Sequence, residues 1–150
     1  MGIEEVVKSN VPPHNLEAEE SVLGAMLLSR DAIAQVIEIL DSRSFYRKAH
    51  RDIYEAIIEL FESGEPVDII SVSDHLAKKG LLDSVGGYTY LSSLLNKIPT
   101  PSNAAYHAKI VQEKAILREL IEAGIKIKEL AEEENDDVPV IMDKAEQIIF

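Results

Sequence analysis

The sequence has no cysteine among its 150 residues, and it has only 3 phenylalanines and 5 tyrosines. The lack of cysteine excludes disulfide bonds and every metal site that needs thiolate ligands. No apolar run approaches the ~20 residues that a membrane-spanning helix requires. The first ten residues, MGIEEVVKSN, lack the basic and apolar regions of a signal peptide. We therefore expect an intracellular protein with no membrane partner.

Basic residues are also scarce. Lys and Arg number 15 against 27 Asp and Glu, so the formal net charge is −12, and both the first 100 and the last 50 residues are acidic. An extended nucleic-acid surface needs clustered Lys and Arg to displace counterions from phosphates. The charge therefore predicts weak or no DNA binding by this chain.

The apolar residues recur at helical spacing, and no long stretch alternates as a strand would. In PPHNLEAEESVLGAMLL, Asn15 is a good N-cap and Glu17 falls in the first turn, where the helix dipole favours a carboxylate. Leu23 and Leu27 then face inward. Further short helices are predicted up to residue 98, with Asp31 capping the second and a Ser71–Asp74 pair capping the fourth.

The character of the chain changes after the break PTPSN. Residues 103–134 contain no proline and keep helical spacing, which predicts a helix of roughly 48 Å. That length exceeds the size of a ~100-residue head, whose radius of gyration is about 13 Å. A second helix over 138–150 returns. The predicted fold is all-α: a flexible arm (1–11), a compact multi-helix globular head (12–101) and a projecting antiparallel helical hairpin (102–150).

The hairpin has more apolar surface than its short second helix can cover. A seven-residue spacing along the long helix places six residues on one side: Tyr106, Ile110, Leu117, Leu120, Gly124 and Ile127. Leftover apolar surface indicates a partner site, and Gly124 permits close approach of another helix. We therefore predict self-association through these residues. The alternative is that the stripe packs back on the head.

Motifs for catalysis or metal binding are absent from the sequence. There is no GxxxxGK[ST] phosphate loop, no HExxH and no calcium loop. The four histidines are too far apart in sequence to pair on one helix, and we expect them to be neutral and at the surface or partly buried: His14, His50, His75 and His107. The acids Glu17, Glu19 and Glu20 do not share a helical face. We predict no catalytic, cofactor or metal residue; a cryptic enzyme with a carboxylate pair from distant segments is an alternative.

Four blocks of sequence resemble a known family in order and spacing. They are VPPHNLEAEESVLGAMLL, FYRKAHRDIYEAI, GEPVDIISVSDHL and GGYTYLSSLLNKIPTPSNAAYHAKIVQEKAILREL. Together they cover about residues 11–122 and are similar to the N-terminal domain of bacterial replicative DNA helicases of the DnaB type. The second half of the hairpin agrees in length and pattern rather than in residues.

This resemblance implies an all-α head and a hairpin, followed in the whole protein by a linker helix and a RecA-like ATPase domain that uses ATP and Mg²⁺. It implies a cytoplasmic bacterial helicase of DNA replication, in which hairpins pair and six copies form a collar. The family's collar docks primase and influences loader binding. Contacts that affect primase correspond here to Glu17 and Tyr90.

The chain stops at Phe150, so the resemblance implies a fragment that needs no cofactor of its own and does not unwind DNA alone. A stand-alone helical adaptor or regulator that shares the fold without a motor is the main alternative. The reading frame beyond Phe150 distinguishes the two, because a phosphate-loop lysine there favours the helicase.

Overall fold

The structure is a computed structural model that describes residues 11–97 and 101–150. The α-helices are α1 Leu16–Leu28, α2 Arg30–Ile37, α3 Lys48–Glu62, α4 Ile69–Lys78, α5 Leu82–Val85, α6 Gly87–Leu95, α7 Ala104–Glu133 and α8 Val138–Ile149. Two 3₁₀ turns lie at Ser42–Ser44 and Pro101–Asn103, and the described ranges contain no strand. The predicted all-α class is therefore confirmed. Of the predicted arm, only Val11 lies within the described residues.

Helix α1 begins as its sequence predicts. The Asn15 side chain accepts a hydrogen bond of 3.0 Å from the amide of Ala18, which satisfies one of the free N–H groups of the first turn. Val22, Leu23 and Met26 are completely buried. This helix is therefore central to the packing of the head.

Two predicted caps were placed on the wrong residues. Ser29, not Asp31, caps α2, because its hydroxyl accepts from the amide of Ala32 at 3.2 Å while Asp31 lies inside the first turn. Asp68 caps α4 by accepting from the amide of Ser71 at 2.8 Å. In both cases the helix begins earlier than predicted, since the cap must be the extended residue that precedes the first turn.

The described residues between 14 and 115 form one compact unit. Its core includes Phe45, Ile53 and Ile57, and the first part of α7 contributes small residues: Ala104, Ala108, Val111 and Ala115. The buried Tyr54 hydroxyl donates to the carbonyl of Leu40 at 2.8 Å. Burial, with smaller contributions from nearby carboxylates, raises the pKa of Tyr54 to about 12, so this hydroxyl stays a donor at neutral pH.

The second unit contains residues 116–150 together with the described residues 11–13. Arg118 donates to the carbonyl of Pro13 at 2.8 Å. The turn after α7 passes through Glu134, which has a φ of 48°, and leads into α8. The partly buried side chains recur at spacings of three and four along both helices: Ala123, Ile127, Leu130, Ile141, Ala145 and Ile148. This pattern is consistent with the predicted hairpin.

The predicted boundaries of the arm, head and hairpin, at residues 11/12 and 101/102, stay predictions. Packing divides the chain within α7, between Ala115 and Ile116. In the stretch from residue 116 to 150, all of which is described, no side chain is buried. The two units therefore differ sharply in how much core each contains.

Candidate functional site

Helix α1 directs its three acidic residues to different environments. Glu17 is exposed, whereas Glu19 is 1% exposed and Glu20 lies partly buried at the edge. Glu19 is three, four and seven residues before Val22, Leu23 and Met26, so it lies on the same inward face of the helix. A carboxylate therefore sits among the core residues of the head.

The buried Glu19 carboxylate is held by groups around the start of α3. One oxygen accepts from the amide of Tyr46 at 2.9 Å, and the other lies 2.7 Å from Nδ1 of His50. The His50 ring is completely buried. An ionised Glu19 has no hydrogen to donate, so in that form it accepts from Nδ1 of His50. The pair joins α1 to α3 without contact with solvent.

The polar chain continues from His50 to the surface. Nε2 of His50 lies 2.6 Å from the hydroxyl of Tyr90, and the same hydroxyl donates to Glu20 at 2.8 Å. The Lys97 ammonium donates to the same Glu20 oxygen at 2.9 Å. We call Glu19, His50, Tyr90, Glu20 and Lys97 the polar chain. It joins helices α1, α3 and α6 within the compact unit that runs from residue 14 to residue 115.

The electrostatics of the outer end follow from these contacts. Burial alone would raise the pKa of Glu20, but hydrogen bonds from Lys97 and Tyr90 and the charge of Lys97 outweigh it and lower that pKa. Burial and the neighbouring Glu20 raise the pKa of Tyr90 well above its ordinary value. At neutral pH the outer end is therefore a carboxylate between a phenol and an ammonium group.

Glu17 lies beside this outer end. It lines a cavity of about 250 Å³ together with Lys97 and Ile110. In the same cavity wall, the Ser21 hydroxyl and Nδ1 of His107 are 2.9 Å apart. The structure thus connects the two predicted primase-docking residues: Glu17 shares a cavity with Lys97, which shares Glu20 with Tyr90.

The predicted self-association residues fall into two groups. Tyr106, Leu117, Leu120 and Gly124 are exposed, with Leu120 60% exposed. Ile110 packs against the core of the head and Ile127 is half-buried. A Cβ built on Gly124 would meet nothing within 4 Å. Among the described residues, the position beside Gly124 is therefore open.

The polar chain was missed by the sequence analysis. The prediction that the histidines lie at the surface or are partly buried is wrong for His50, which is completely buried. The available signal was positional, because Glu19 and His50 both share a face with buried apolar residues. His50 precedes Ile53, Tyr54 and Ile57 at helical spacing, and those three are buried. Nothing in the sequence indicated that the two would meet across 31 positions.

No group of three or more His, Cys, Asp or Glu side chains in the described ranges is arranged to hold a metal ion. No helix in these ranges has the length and apolar character needed to cross a bilayer. The fold and the site define an all-α domain in which buried polar groups tie helices together beneath one surface.

Residues 11–113 match the family described as "DnaB-like helicase N terminal domain". The chain therefore belongs to this family, as the four sequence blocks indicated.

Relatives and solved structures agree with this assignment. The chain is 48% identical over 141 residues to the replicative DNA helicase DnaB of Mycobacterium leprae, covering 93% of this chain and 23% of that protein. It is 41% identical over 146 residues to the replicative DNA helicase DnaC of Bacillus subtilis, covering 97% and 32%. The chain thus spans about a quarter to a third of the length of these relatives.

Among solved structures, the N-terminal domain of DnaB helicase from Mycobacterium tuberculosis is 47% identical, with a TM-score of 0.89 over 93% of this chain and 98% of that one. The corresponding Helicobacter pylori domain shares the fold at 19% identity, with a TM-score of 0.66 over 88% and 99% of the two chains. That protein has been described together with its interactions with primase.

Proposed function

We propose that this chain is the N-terminal collar domain of a replicative DNA helicase, which pairs with further copies of itself and docks primase during DNA replication. The observation that carries the proposal is the family match over residues 11–113. The whole protein would unwind DNA with ATP and Mg²⁺ through a RecA-like domain, in the bacterial cytoplasm. Loader docking on the same collar belongs to this proposal.

The docking surface is centred on the outer end of the polar chain. Tyr90 is partly exposed, and Glu17 is exposed beside the cavity that Lys97 lines. The cation of Arg47 lies 5.5 Å from the centroid of the Tyr90 ring. A surface that combines an aromatic ring with charges of both signs is typical of protein contacts that a few residues dominate.

The test is calorimetric titration of the protein with a primase C-terminal domain. Glu17→Ala and Tyr90→Ala should each weaken binding by about tenfold or more, since central interface residues commonly contribute about 2 kcal/mol. Tyr88→Ala is the matched control, because Tyr88 is 52% exposed on the same helix and lies outside the polar chain. Unchanged affinity for both site variants, with helical spectra intact, would remove the docking proposal.

Pairing between copies is assigned to the exposed apolar residues of α7. Leu117 and Leu120 are 44% and 60% exposed, and Ile116, Ile121 and Ile125 are exposed beside them. A contiguous apolar surface of this kind favours a protein partner. A second copy is the natural occupant, because matching helices of identical chains bury equivalent residues about a two-fold axis.

Sedimentation at micromolar concentration tests the pairing. Leu120→Glu should shift the protein to monomer, whereas Ile70→Glu should not, although Ile70 is 73% exposed on α4. A protein that is monomeric before any substitution would contradict the proposal. A protein that pairs but binds no primase would favour the stand-alone adaptor instead.

We also expect weak or no DNA binding by the chain alone, in line with its net charge of −12.

A further inference from the structure

The inner half of the polar chain, Glu19 and His50, is shielded from solvent. His50 nevertheless contacts Tyr90, the side chain that we assign to primase docking. His50 and Glu19 are 0% and 1% exposed. A partner protein cannot reach either of them. The direct contact between His50 and the docking surface is with the Tyr90 hydroxyl, at 2.6 Å.

The hydrogen atoms needed by the contacts of the polar chain can be counted. Three contacts join Glu19 to His50, His50 to Tyr90, and Tyr90 to Glu20, at 2.7, 2.6 and 2.8 Å. Each needs one hydrogen, and the two carboxylates at the ends supply none. Tyr90 has one hydrogen, which it donates to Glu20. When both carboxylates are ionised, the other two must come from His50, and all three bonds then form together only if both ring nitrogens carry hydrogen.

The surrounding charges accommodate an imidazolium. Glu19 from α1 contacts the ring directly, and Glu20 lies one hydroxyl away. The nearby cations are Arg47, over the Tyr90 ring, and Lys97, which is already bound to Glu20. A buried carboxylate is costly without a cationic partner, and His50 is the cation-forming group in direct contact with Glu19.

We propose that His50, held as an imidazolium by Glu19, is a positioning residue for the docking surface. It fixes the Tyr90 hydroxyl from beneath, and that hydroxyl in turn holds the Glu20 carboxylate beside Lys97. This inference rests on the proposed docking function. Losing the second hydrogen of His50 would leave Tyr90 with one hydrogen for two acceptors, and would loosen both Tyr90 and Glu20.

A double-mutant cycle on primase binding tests the proposal. His50→Gln and Tyr90→Phe should each weaken binding by about tenfold, the effect of about 1.4 kcal/mol. The double variant should bind about as weakly as either single variant, because His50 acts through that hydroxyl. Losses that multiply in the double variant would refute positioning, since His50 would then act independently of Tyr90.

The matched control is His75→Gln. His75 also lies 2.6 Å from a glutamate, Glu59, but it is outside the polar chain, so primase affinity should not change. If His50→Gln does not fold, Glu19→Gln takes its place in the cycle. It keeps the shape of the side chain but removes the charge that holds the imidazolium.

A spectroscopic measurement tests the inference without primase. Nitrogen-15 spectra near neutral pH should show both ring nitrogens of His50 carrying hydrogen. A ring with hydrogen on only one of the two nitrogens would overturn the proposal. If the spectrum is as expected but neither Glu17→Ala nor Tyr90→Ala alters primase binding, the docking function fails while the polar chain itself stands.

Discussion

The backbone beside Tyr90 offers a sharp test of how the docking surface is built. Gly86 has a φ of +113°, and a Cβ added there would lie 2.6 Å from the Cβ of Tyr90. The next residue, Gly87, also has a positive φ, +71°, but a Cβ there would meet nothing within 4 Å. We predict that Gly86→Ala destabilises the head and displaces Tyr90, whereas Gly87→Ala has a small effect.

The expected loss in free energy of unfolding for Gly86→Ala has two contributions. A non-glycine residue in a sparsely populated backbone region costs about 1–3 kcal/mol. Carbon atoms in contact prefer separations of about 3.5–4.0 Å, so the helix carrying Tyr90 must shift by roughly 1 Å.

At Gly87 the backbone is close to the ordinary left-handed region. Alanine in that region costs about 1–2 kcal/mol, and the reduced freedom of the unfolded chain, which applies at both positions, offsets about 0.4–1 kcal/mol of the strain. We therefore expect losses of about 2–4 and about 0–1 kcal/mol for Gly86→Ala and Gly87→Ala, respectively.

Urea unfolding followed by circular dichroism measures both variants. The midpoint should fall clearly for Gly86→Ala and little for Gly87→Ala, with similar denaturant slopes. Primase affinity should fall for Gly86→Ala even under conditions where it is fully folded, because the Tyr90 hydroxyl no longer meets both of its partners. Equal midpoints for the two variants would refute this account of the turn.

Two further predictions concern stability away from the docking surface. Asn15→Ala should lower the free energy of unfolding by about 1 kcal/mol through loss of the cap on Ala18, and Asn15→Asp should largely retain it; equal losses would contradict the capping role. Hydrogen bonds from Lys79 and His75 lower the pKa of Glu59, so its contribution is present above the ordinary carboxyl pKa and is lost as pH falls through the lowered value. Glu59→Gln should therefore remove up to about 1 kcal/mol at about pH 6, since the pair is exposed, and progressively less in urea titrations as pH falls below the ordinary carboxyl range. A loss that does not change with pH would exclude the ion pair.

Much of the fold could be predicted from sequence because it is set by local rules. Helix α7 was predicted over residues 103–134 and spans Ala104–Glu133, since a long proline-free stretch at helical spacing has no competing structure. Asn15 was recognised as a cap because capping also depends on neighbouring residues in the sequence. Errors at α2 and α4 concerned which polar residue precedes the first turn. Several candidates stood within three positions, and only tertiary packing decides among them.

The candidate site was only partly predictable, and the reason is also physical. Glu17 and Tyr90 came from the family resemblance, not from any property of the residues themselves. Glu19 and His50 are 31 positions apart, and a buried acid looks like a surface acid until its partner is known. Helical spacing places each on an inward face, but it does not say that two inward faces meet.

The contrast between the two units gives the hairpin a physical reason to associate. Residues 116–150 have no buried side chain, and α8 has 12 residues, near the ~12–15 below which isolated helices are marginal in water. Fully burying a leucine or isoleucine contributes about 1.5–3 kcal/mol. Leu117, Leu120 and Ile121 are 44%, 60% and 48% exposed. Covering all six in a pair would therefore contribute roughly half of the full amount, about 5–9 kcal/mol, against a loss of freedom on association of about 4–15 kcal/mol. We therefore expect pairing and hairpin stability to be linked, so that Leu120→Glu also lowers the helical signal of α7 and α8 on dilution.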